Sequence, residues 1–255
     1  MNMTYINIDL TNECNKKCWI CHRTKSGEIG DPIFLDFNIL EKLAEELPHG
    51  VIIYFHYYGE PLLYPMLKEA IELFENQITT IVTNGKLIME KFDDIVPCLD
   101  SLCISVFEKD SEQDEQRILI KEFLERKKDQ KPNTIIKLIG DVDLEKYKEF
   151  EKRALITYRT LFQKRITGEN PLPLMPEYGI CSDFLHKPLV NANGDVSICC
   201  VYDPEKLGVL GNLHDNSLEE LLKGEKRTDW LNSHMQGKRE KVPLCSSCKF
   251  WGVTS

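Results

Sequence analysis

The sequence has no apolar run long enough to cross a membrane and no excess of basic residues. A membrane-spanning helix needs roughly 18 or more consecutive apolar residues, and no segment approaches that length. Acidic residues outnumber basic ones by 41 to 32, and the net charge is −9, which leaves no basic stripe for the phosphates of a nucleic acid. No secretory signal opens the chain. We therefore expect a cytoplasmic protein that binds neither nucleic acid nor a membrane.

Cysteine, by contrast, is abundant, with ten residues in a chain of 255. Without a secretory signal, so many cysteines indicate metal or redox chemistry rather than disulfides. Seven of them fall into two groups, which we name the N-terminal cysteines and the C-terminal cysteines. The N-terminal cysteines are Cys14, Cys18 and Cys21, and the C-terminal cysteines are Cys181, Cys199, Cys245 and Cys248.

The N-terminal cysteines have a spacing that suits a four-iron cluster. Three thiolates ligate three of its irons and leave the fourth open to another ligand. Structural zinc prefers four closed ligands in Cys-x2–4-Cys pairs, so the spacing of Cys14, Cys18 and Cys21 disfavours zinc. The spacing resembles the signature of the radical S-adenosylmethionine (SAM) superfamily. That resemblance implies a SAM-binding 4Fe-4S cluster, reductive cleavage of SAM to a 5′-deoxyadenosyl radical, and abstraction of hydrogen from a substrate C–H bond.

Strand-like runs alternate with amphipathic helices from residue 4 to about 160. One helix should begin after the N-cap Asp36 and another near Pro65. Repeated βα units predict a parallel sheet covered by helices, and about 160 residues are too few for a full barrel of roughly 250. We therefore expect an α/β fold, a partial (β/α)5–6 radical SAM barrel over residues 1–165. The predicted strands are 4–10, 51–56, 78–83, 102–107, 134–139 and 155–161, and a third helix is predicted near 112–128.

The turn after the second predicted strand contains Gly59, Glu60 and Pro61. The carboxyl ends of barrel strands usually carry the functional groups, and the cysteine loop also follows a strand. The run resembles the radical SAM motif that holds the methionine amino group of SAM. The family usually carries two glycines here, whereas this chain has Tyr58 in the first position. The alternative is an ordinary strand-to-helix turn, because Gly and Pro punctuate turns of every kind.

Further candidates follow other predicted strands. The resemblance implies that Thr83 and Ser105 reach the ribose and carboxylate of SAM, and that Ile20 packs on adenine where the family favours an aromatic residue. Arg165, preceded by Lys164, follows the last predicted strand. Arg165 is our candidate for a catalytic contact with substrate, because a cation lowers the pKa of a nearby hydroxyl. The alternative is a pair of solvated cations on a loop.

The last third of the chain predicts a small second domain over residues 166–255. Asn193-Gly194 lies between alternating runs, which is a strong hairpin signal. Ser217 and Glu220 form a capping box for a helix that begins at Leu218. The arrangement resembles the twitch domain, a shortened relative of the SPASM domain, and implies an auxiliary 4Fe-4S cluster on the C-terminal cysteines. Zinc on the same four thiols is the alternative.

Cys199 and Cys200 are adjacent, and only one of them is expected to face the auxiliary cluster. Strand alternation places Val196, Ile198 and Cys200 on one face and Cys199 on the other. We therefore expect Cys199 to turn toward the other C-terminal cysteines and Cys200 to be a buried thiol. A bulge in this strand would exchange the two faces.

In layout the chain resembles the radical SAM dehydrogenases of aminoglycoside biosynthesis. The resemblance implies a radical SAM oxidoreductase that oxidises a small polar substrate such as a cyclitol or sugar alcohol. Its auxiliary cluster would accept the electron, and an external donor such as flavodoxin or ferredoxin would supply the first one. One alternative is epimerisation or crosslinking of a ribosomally made peptide. Epimerisation needs a hydrogen donor, and Cys98 and Cys103 are spare thiols, but both lie in apolar runs that favour core thiols instead. Another alternative is a non-enzymatic electron carrier with two clusters.

Overall fold

The computed structural model describes residues 3–26, 30–159, 179–201, 203–246 and 248. Strands β1 to β6 are Tyr5–Ile8, Ile52–Phe55, Ile78–Thr83, Ser101–Phe107, Asn133–Ile139 and Leu155–Arg159. Strands β7 to β9 are Leu189–Val190, Asp195–Ser197 and Val209–Asn212. These nine strands of the described part form one sheet in the order β6-β5-β4-β3-β2-β1-β7-β8-β9. The six predicted N-terminal strands are confirmed, each within a few residues.

Helices separate most of the strands. Helices α1 to α5 are His22–Ser26, Phe37–Glu46, Leu67–Glu72, Phe92–Ile95 and Gln113–Lys127. Helices α6 to α9 are Ser182–His186, Leu218–Lys223, Glu225–Met235 and Pro243–Ser246. Short 3-10 turns lie at Pro61–Leu63, Leu144–Phe150 and Arg239–Lys241. None of the helices in the described part of the chain is long and apolar enough to span a membrane.

The predicted helix caps are present. Asp36 accepts a hydrogen bond from the Asn38 backbone N–H at the start of α2, which satisfies one of the donors that a helix terminus leaves free. Ser217 and Glu220 form the expected capping box of α7. Pro65 lies just ahead of α3, whose N-cap is Met66.

The parallel strands β1 to β6 have one apolar and one more polar face. Strand neighbours in register share a face of the sheet. The apolar face belongs to the main hydrophobic core and carries Ile6, Ile8, Ile53, Phe55, Ile81, Leu102, Ile104, Val106, Ile136 and Leu138. We call the opposite face the inner face, and it carries the polar or partly polar Asn7, Tyr54, Cys103, Ser105, Lys137, Thr157 and Arg159 together with the apolar Val82, Ile135, Ile139 and Leu155. This division is that of a partial barrel, with helices outside and polar groups inside.

The C-terminal strands extend the same sheet. β7 pairs in parallel with β1, and β7, β8 and β9 then pair antiparallel in chain order. The predicted hairpin is confirmed, and Gly194 in its turn has a φ of +84°, a left-handed conformation that suits glycine. The expected boundary at residues 165 and 166 lies outside the described residues.

Candidate active site

The N-terminal cysteines lie on the loop that follows β1, at the edge of the sheet where the parallel strands end. Cys14, Cys18 and Cys21 are half-buried free thiols. Burial raises the pKa of Cys14, and it raises the pKa of Cys18 to about 11. Without a bound metal these two thiols stay protonated at neutral pH, whereas a metal-ligating cysteine is a thiolate. Cluster binding at this loop must therefore release protons.

Two side chains between the thiols fasten the loop to the segment after β4. The buried Lys16 ammonium forms an ion pair with Asp110, and a second with Glu112 at 3.6 Å. The Trp19 Nε1–H donates to the Glu108 carbonyl oxygen at 2.9 Å. Sequence reasoning missed these contacts, because nothing local in the sequence connects residues so far apart in the chain.

Glu60 joins the turn after β2 to the end of β3. Its buried carboxylate accepts hydrogen bonds from the Leu62 N–H at 3.1 Å, the Thr83 hydroxyl at 2.7 Å and the Asn84 N–H at 2.8 Å. Burial raises the pKa of Glu60, and these three donors oppose that rise. A carboxylate has about four lone-pair sites, so protein donors occupy most of its capacity. Glu60 is therefore a structural centre of this edge, besides its predicted contact with SAM.

Gly59 allows the turn after β2 to approach the cysteine loop. A Cβ atom at this position would lie 1.8 Å from the Thr11 carbonyl oxygen, so no other residue fits without a backbone shift. The N–H groups of Tyr58 and Gly59 donate to Asp9 Oδ1 at 3.2 and 3.4 Å. Burial raises the pKa of Asp9 to about 7, while these two bonds and Arg23 act in the opposite direction. These contacts join the turn after β2 to the segment that follows β1.

Asn84 brings together the ends of two strands and the cysteine loop. Its Nδ2 group donates to Asn15 Oδ1 at 2.8 Å and lies 3.8 Å from the Cys14 sulfur. Its carbonyl oxygen accepts from Gln116 Nε2 at 2.6 Å, and that group also donates to the Ser105 carbonyl oxygen at 2.9 Å. Asn84 directly follows Thr83 at the end of β3 and precedes Gly85, a run that also suits a plain loop, so the sequence alone does not single it out.

The other predicted SAM contacts fall at the same edge. The Thr83 hydroxyl donates to Glu60 and accepts from the Gly85 N–H at 3.0 Å, so its only proton is used within the protein. Ser105 is buried on the inner face near the end of β4, and Pro61 is buried at the start of its 3-10 turn. Ile20 is half-buried in the cysteine loop. Arg165 and Lys164 lie outside the described residues.

The C-terminal cysteines line one cavity. Phe184, Val201 and Leu244 supply apolar walls, and His234 and Arg239 also line it. The pKa of Cys245 is raised to about 12, first by burial and then by the nearby sulfurs of Cys248 and Cys181. Four thiols around one cavity fit a cluster ligated entirely by protein. Nowhere in the described ranges do three or more His, Cys, Asp or Glu side chains approach closely enough to hold a single metal ion.

The structure distinguishes Cys199 from Cys200. Cys199 is buried and lines the cavity with the other C-terminal cysteines, whereas Cys200 does not line it. Cys200 is half-buried as a residue, and its side chain hydrogen-bonds that of Cys199. β8 ends at Ser197 after a register shift beside Val196, so simple strand alternation does not describe the two adjacent cysteines.

The turn after β2 also contacts the segment that follows the C-terminal hairpin. The Tyr57 hydroxyl donates to the Val201 carbonyl oxygen at 3.0 Å. Val201 lines the cavity of the C-terminal cysteines, and Tyr57 belongs to the same turn as Glu60. The turn beside the N-terminal cysteines is therefore hydrogen-bonded to the segment that lines the cavity of the C-terminal cysteines.

The chain is similar to known families and proteins. Residues 8–142 match the model of the radical SAM superfamily, and residues 181–249 match SPASM, an iron-sulfur cluster-binding domain. The S-adenosyl-L-methionine-dependent 2-deoxy-scyllo-inosamine dehydrogenase of Niallia circulans is 23% identical over 253 residues, which are 95% of this chain and 91% of that enzyme. A 7,8-dihydro-6-hydroxymethylpterin dimethyltransferase of Methanocaldococcus jannaschii is 41% identical over 85 residues, 31% of this chain and 17% of that protein.

Solved structures share the fold. The crystal structure of BtrN in complex with AdoMet and 2-DOIA matches 100% of this chain and 96% of its own, with a TM-score of 0.68 and 18% identity. BtrN in an open conformation matches 98% of this chain and 94% of its own, with a TM-score of 0.59 and 20% identity. The predicted partial barrel with a small C-terminal domain is therefore confirmed.

Proposed function

This chain belongs to the radical SAM superfamily, whose model matches more than half of its length, and from that premise we propose that it dehydrogenates a small polar molecule such as a cyclitol or sugar alcohol. It is an oxidoreductase whose cofactors are SAM, a SAM-binding 4Fe-4S cluster and an auxiliary iron-sulfur cluster. The similarity to a cyclitol-oxidising enzyme along nearly the whole chain supports the substrate class. An external one-electron donor is required, and we propose a flavodoxin or ferredoxin in that role.

The observation that carries the proposal is the cavity with four thiols. We assign the auxiliary 4Fe-4S cluster to Cys181, Cys199, Cys245 and Cys248, which together would leave no iron open to substrate. A cluster of that kind can exchange electrons but offers no site for a new ligand. Its presence supports oxidation of the substrate over a rearrangement that needs no electron acceptor.

We assign the SAM-binding cluster to Cys14, Cys18 and Cys21. When bound, SAM and this cluster supply reductive cleavage and the abstraction of a hydrogen atom from a C–H bond. The chain's own residues fix the surroundings, because Asp9 and Glu60 hold the turn after β2, and Lys16 holds the cysteine loop. Abstraction requires such fixed positions, since a small misplacement of the reacting carbon is costly.

The oxidation removes two hydrogens from a CH–OH group. With SAM and both clusters bound, one would leave as a hydrogen atom, the second as a proton, and the auxiliary cluster would accept the remaining electron. One 5′-deoxyadenosine therefore forms for each ketone. We keep Arg165 as a candidate that assists loss of the hydroxyl proton, on the argument that a cation lowers the hydroxyl's pKa.

The test is a reaction in deuterium oxide with SAM, dithionite and a panel of cyclitols and sugar alcohols. We expect a ketone in equal amount to 5′-deoxyadenosine, with no carbon-bound solvent deuterium introduced by the enzyme. An inverted carbon centre that carries deuterium would contradict dehydrogenation. Because α-deuterium can enter a ketone by enolisation, the ketone is reduced with borohydride immediately after the reaction, and only the oxidised carbon is scored.

A second candidate function is epimerisation, and the half-buried Cys200 favours it. The thiol lies near Tyr57 and Lys187 and hydrogen-bonds the Cys199 thiol, but it does not line the cavity of the C-terminal cysteines. A thiol in that place could return a hydrogen atom to a substrate radical. If the enzyme is an epimerase of this kind, Cys200→Ala would still form 5′-deoxyadenosine but no inverted product. Ketone formation by Cys200→Ala at the wild-type level would instead support dehydrogenation.

A further inference from the structure

The inner face of the sheet carries a group of cations that neither set of thiols requires. Lys137 of β5 lies in register between Ser105 of β4 and Thr157 of β6. Arg159 follows two residues later on the same face of β6. Neighbouring strands are about 4.8 Å apart, so these side chains start from adjacent positions. We call Lys137, Thr157 and Arg159 the inner cationic patch.

Two members of the patch have unused capacity to bind a ligand. Within the described ranges no carboxylate pairs with Lys137, whose side chain instead hydrogen-bonds the Cys103 thiol. The Thr157 hydroxyl oxygen is buried and has no hydrogen-bond partner among the described residues. An unpaired buried hydroxyl is unfavourable, and a ligand oxygen between Thr157 and Lys137 would satisfy both groups.

The groups around the patch do not supply an anion to Lys137. Desolvation by the surrounding protein, and then the charges of Lys137 and Arg159, lower the pKa of His56 to about 4, so this side chain is neutral at pH 7. Asp183 lies near Arg159, but it also forms an ion pair of 2.5 Å with Lys187. The charge of Lys137 is therefore not balanced by a carboxylate within the described ranges, although the whole chain has a net charge of −9.

An unbalanced positive charge on a partly buried side chain attracts anions. A lysine ammonium is a compact charge with three donors, and it binds phosphate and carboxylate oxygens with strong hydrogen bonds. A neutral cyclitol would leave this charge uncompensated, and an aminocyclitol cation would be repelled by it. The patch therefore suits a substrate with an anionic oxygen group.

We propose that the substrate of this enzyme carries a phosphate or carboxylate group that binds Lys137 and Thr157 on the inner face, beside Arg159. The inference rests on the proposed function, because it names the class of molecule that is dehydrogenated. It narrows that class from small polar alcohols to their anionic derivatives. Lys137 and Thr157 then determine specificity, while the N-terminal cysteines and the Glu60 turn serve SAM.

The experiment measures binding to the holoenzyme with both clusters and SAM in place. Calorimetry at fixed ionic strength compares myo-inositol with myo-inositol 1-phosphate, and glucose with glucuronate, so that the phosphate and carboxylate sources are tested separately. We expect at least one anionic member to bind about tenfold or more tightly than its neutral parent, as a charge-assisted hydrogen bond would give. The same member should increase 5′-deoxyadenosine formation.

Variants assign the preference to the patch. Lys137→Met should abolish the preference for the anionic compound over its neutral parent, and Thr157→Val should reduce that preference. In both variants the SAM dissociation constant should stay at the wild-type value. The control is Lys131→Met, which removes an exposed lysine two residues before β5 that pairs with Asp100; it should retain the full preference. Thr157→Val also keeps the test valid if Lys137→Met does not fold.

Equal affinities for the anionic and neutral members of both pairs would overturn the inference. If Lys137→Met lost as much affinity for SAM as for the anionic compound, the inference would be overturned too, since Lys137 would then hold the carboxylate of SAM. Either result leaves the proposed function intact as long as the wild type cleaves SAM. A wild type that forms no 5′-deoxyadenosine with any compound would instead refute the proposed function itself.

Discussion

Glu60→Gln tests the structural role of the Glu60 carboxylate. In the wild type, one carboxylate oxygen accepts from the N–H of Leu62 and the hydroxyl of Thr83, and the other accepts from the N–H of Asn84. Glutamine has one acceptor oxygen and one NH2 group. The Thr83 hydroxyl can rotate, but the two backbone N–H groups cannot. In either orientation, therefore, the new NH2 group faces a buried backbone N–H.

The expected cost follows from those contacts. A hydrogen bond to a charged group contributes about 1.5–3 kcal/mol, and a buried donor left without a partner costs about 1–3 kcal/mol. Loss of a buried charge offsets part of this sum, because burial raises the pKa of Glu60. We expect a decrease in the free energy of unfolding of about 2–4 kcal/mol. For a protein of this size, that corresponds to a midpoint lower by about 5–10 °C.

The assay is anaerobic thermal unfolding of the cluster-loaded enzyme, followed by circular dichroism, at matched iron content and without SAM. The control is Glu41→Gln, which makes the same chemical change on the exposed side of α2. The SAM dissociation constant should also rise, since the turn shifts and a negative charge is lost. If Glu60→Gln and Glu41→Gln unfold at the same temperature, the carboxylate does not hold this edge together, and the reasoning is refuted.

Two further predictions concern Asp9 and the adjacent cysteines. Burial raises the pKa of Asp9 to about 7, from about 3.9 in the unfolded chain. Between these two values the Asp9 carboxyl is protonated in the folded state only, so the stability that its protonation contributes falls as the pH rises from 4 to 7. Asp9→Asn keeps an acceptor for both N–H groups but cannot titrate. The decrease in unfolding free energy between pH 5 and 7 should therefore be smaller than in the wild type, or reversed. An identical decrease would exclude Asp9 as a source of the pH dependence. Cys199→Ala should lose about half of the iron and the second cluster's paramagnetic resonance signal, whereas Cys200→Ala should keep both. Loss of the second cluster in Cys200→Ala but not in Cys199→Ala would show that Cys200 is the ligand instead.

The six N-terminal strands could be predicted because each one has an apolar or alternating pattern of its own in the sequence. Ile52–Phe55 and Ile78–Thr83 are short apolar runs between helices, and the helix caps Asp36 and Ser217 are also local signals. The parallel pairing of β7 with β1 joins residues about 180 positions apart. Each of those two strands has only a few residues, so no local pattern could specify the pairing.

Some features of the candidate site could likewise be predicted from local sequence, and others depend on the order of the strands. The N-terminal cysteines are close in sequence, so their spacing was sufficient to predict a cluster. The hydrogen bonds of Glu60 with Thr83 and Asn84, and the ion pair of Lys16 with Asp110, depend on the order of strands. Lys137 reads in sequence as one polar residue in a strand, and only the register with β4 and β6 places it inside the barrel.

The central claim is that the N-terminal cysteines hold a cluster that cleaves SAM. The most direct measurement is the yield of 5′-deoxyadenosine from SAM and dithionite under anaerobic conditions, for the wild type, Cys18→Ala and Cys98→Ala. Cys98 is a matched control, because its thiol is also half-buried but donates to the Asp94 carbonyl oxygen on a different part of the chain. We predict 5′-deoxyadenosine from the wild type and Cys98→Ala and none from Cys18→Ala. A wild-type yield from Cys18→Ala, or none from the wild type, would contradict the claim.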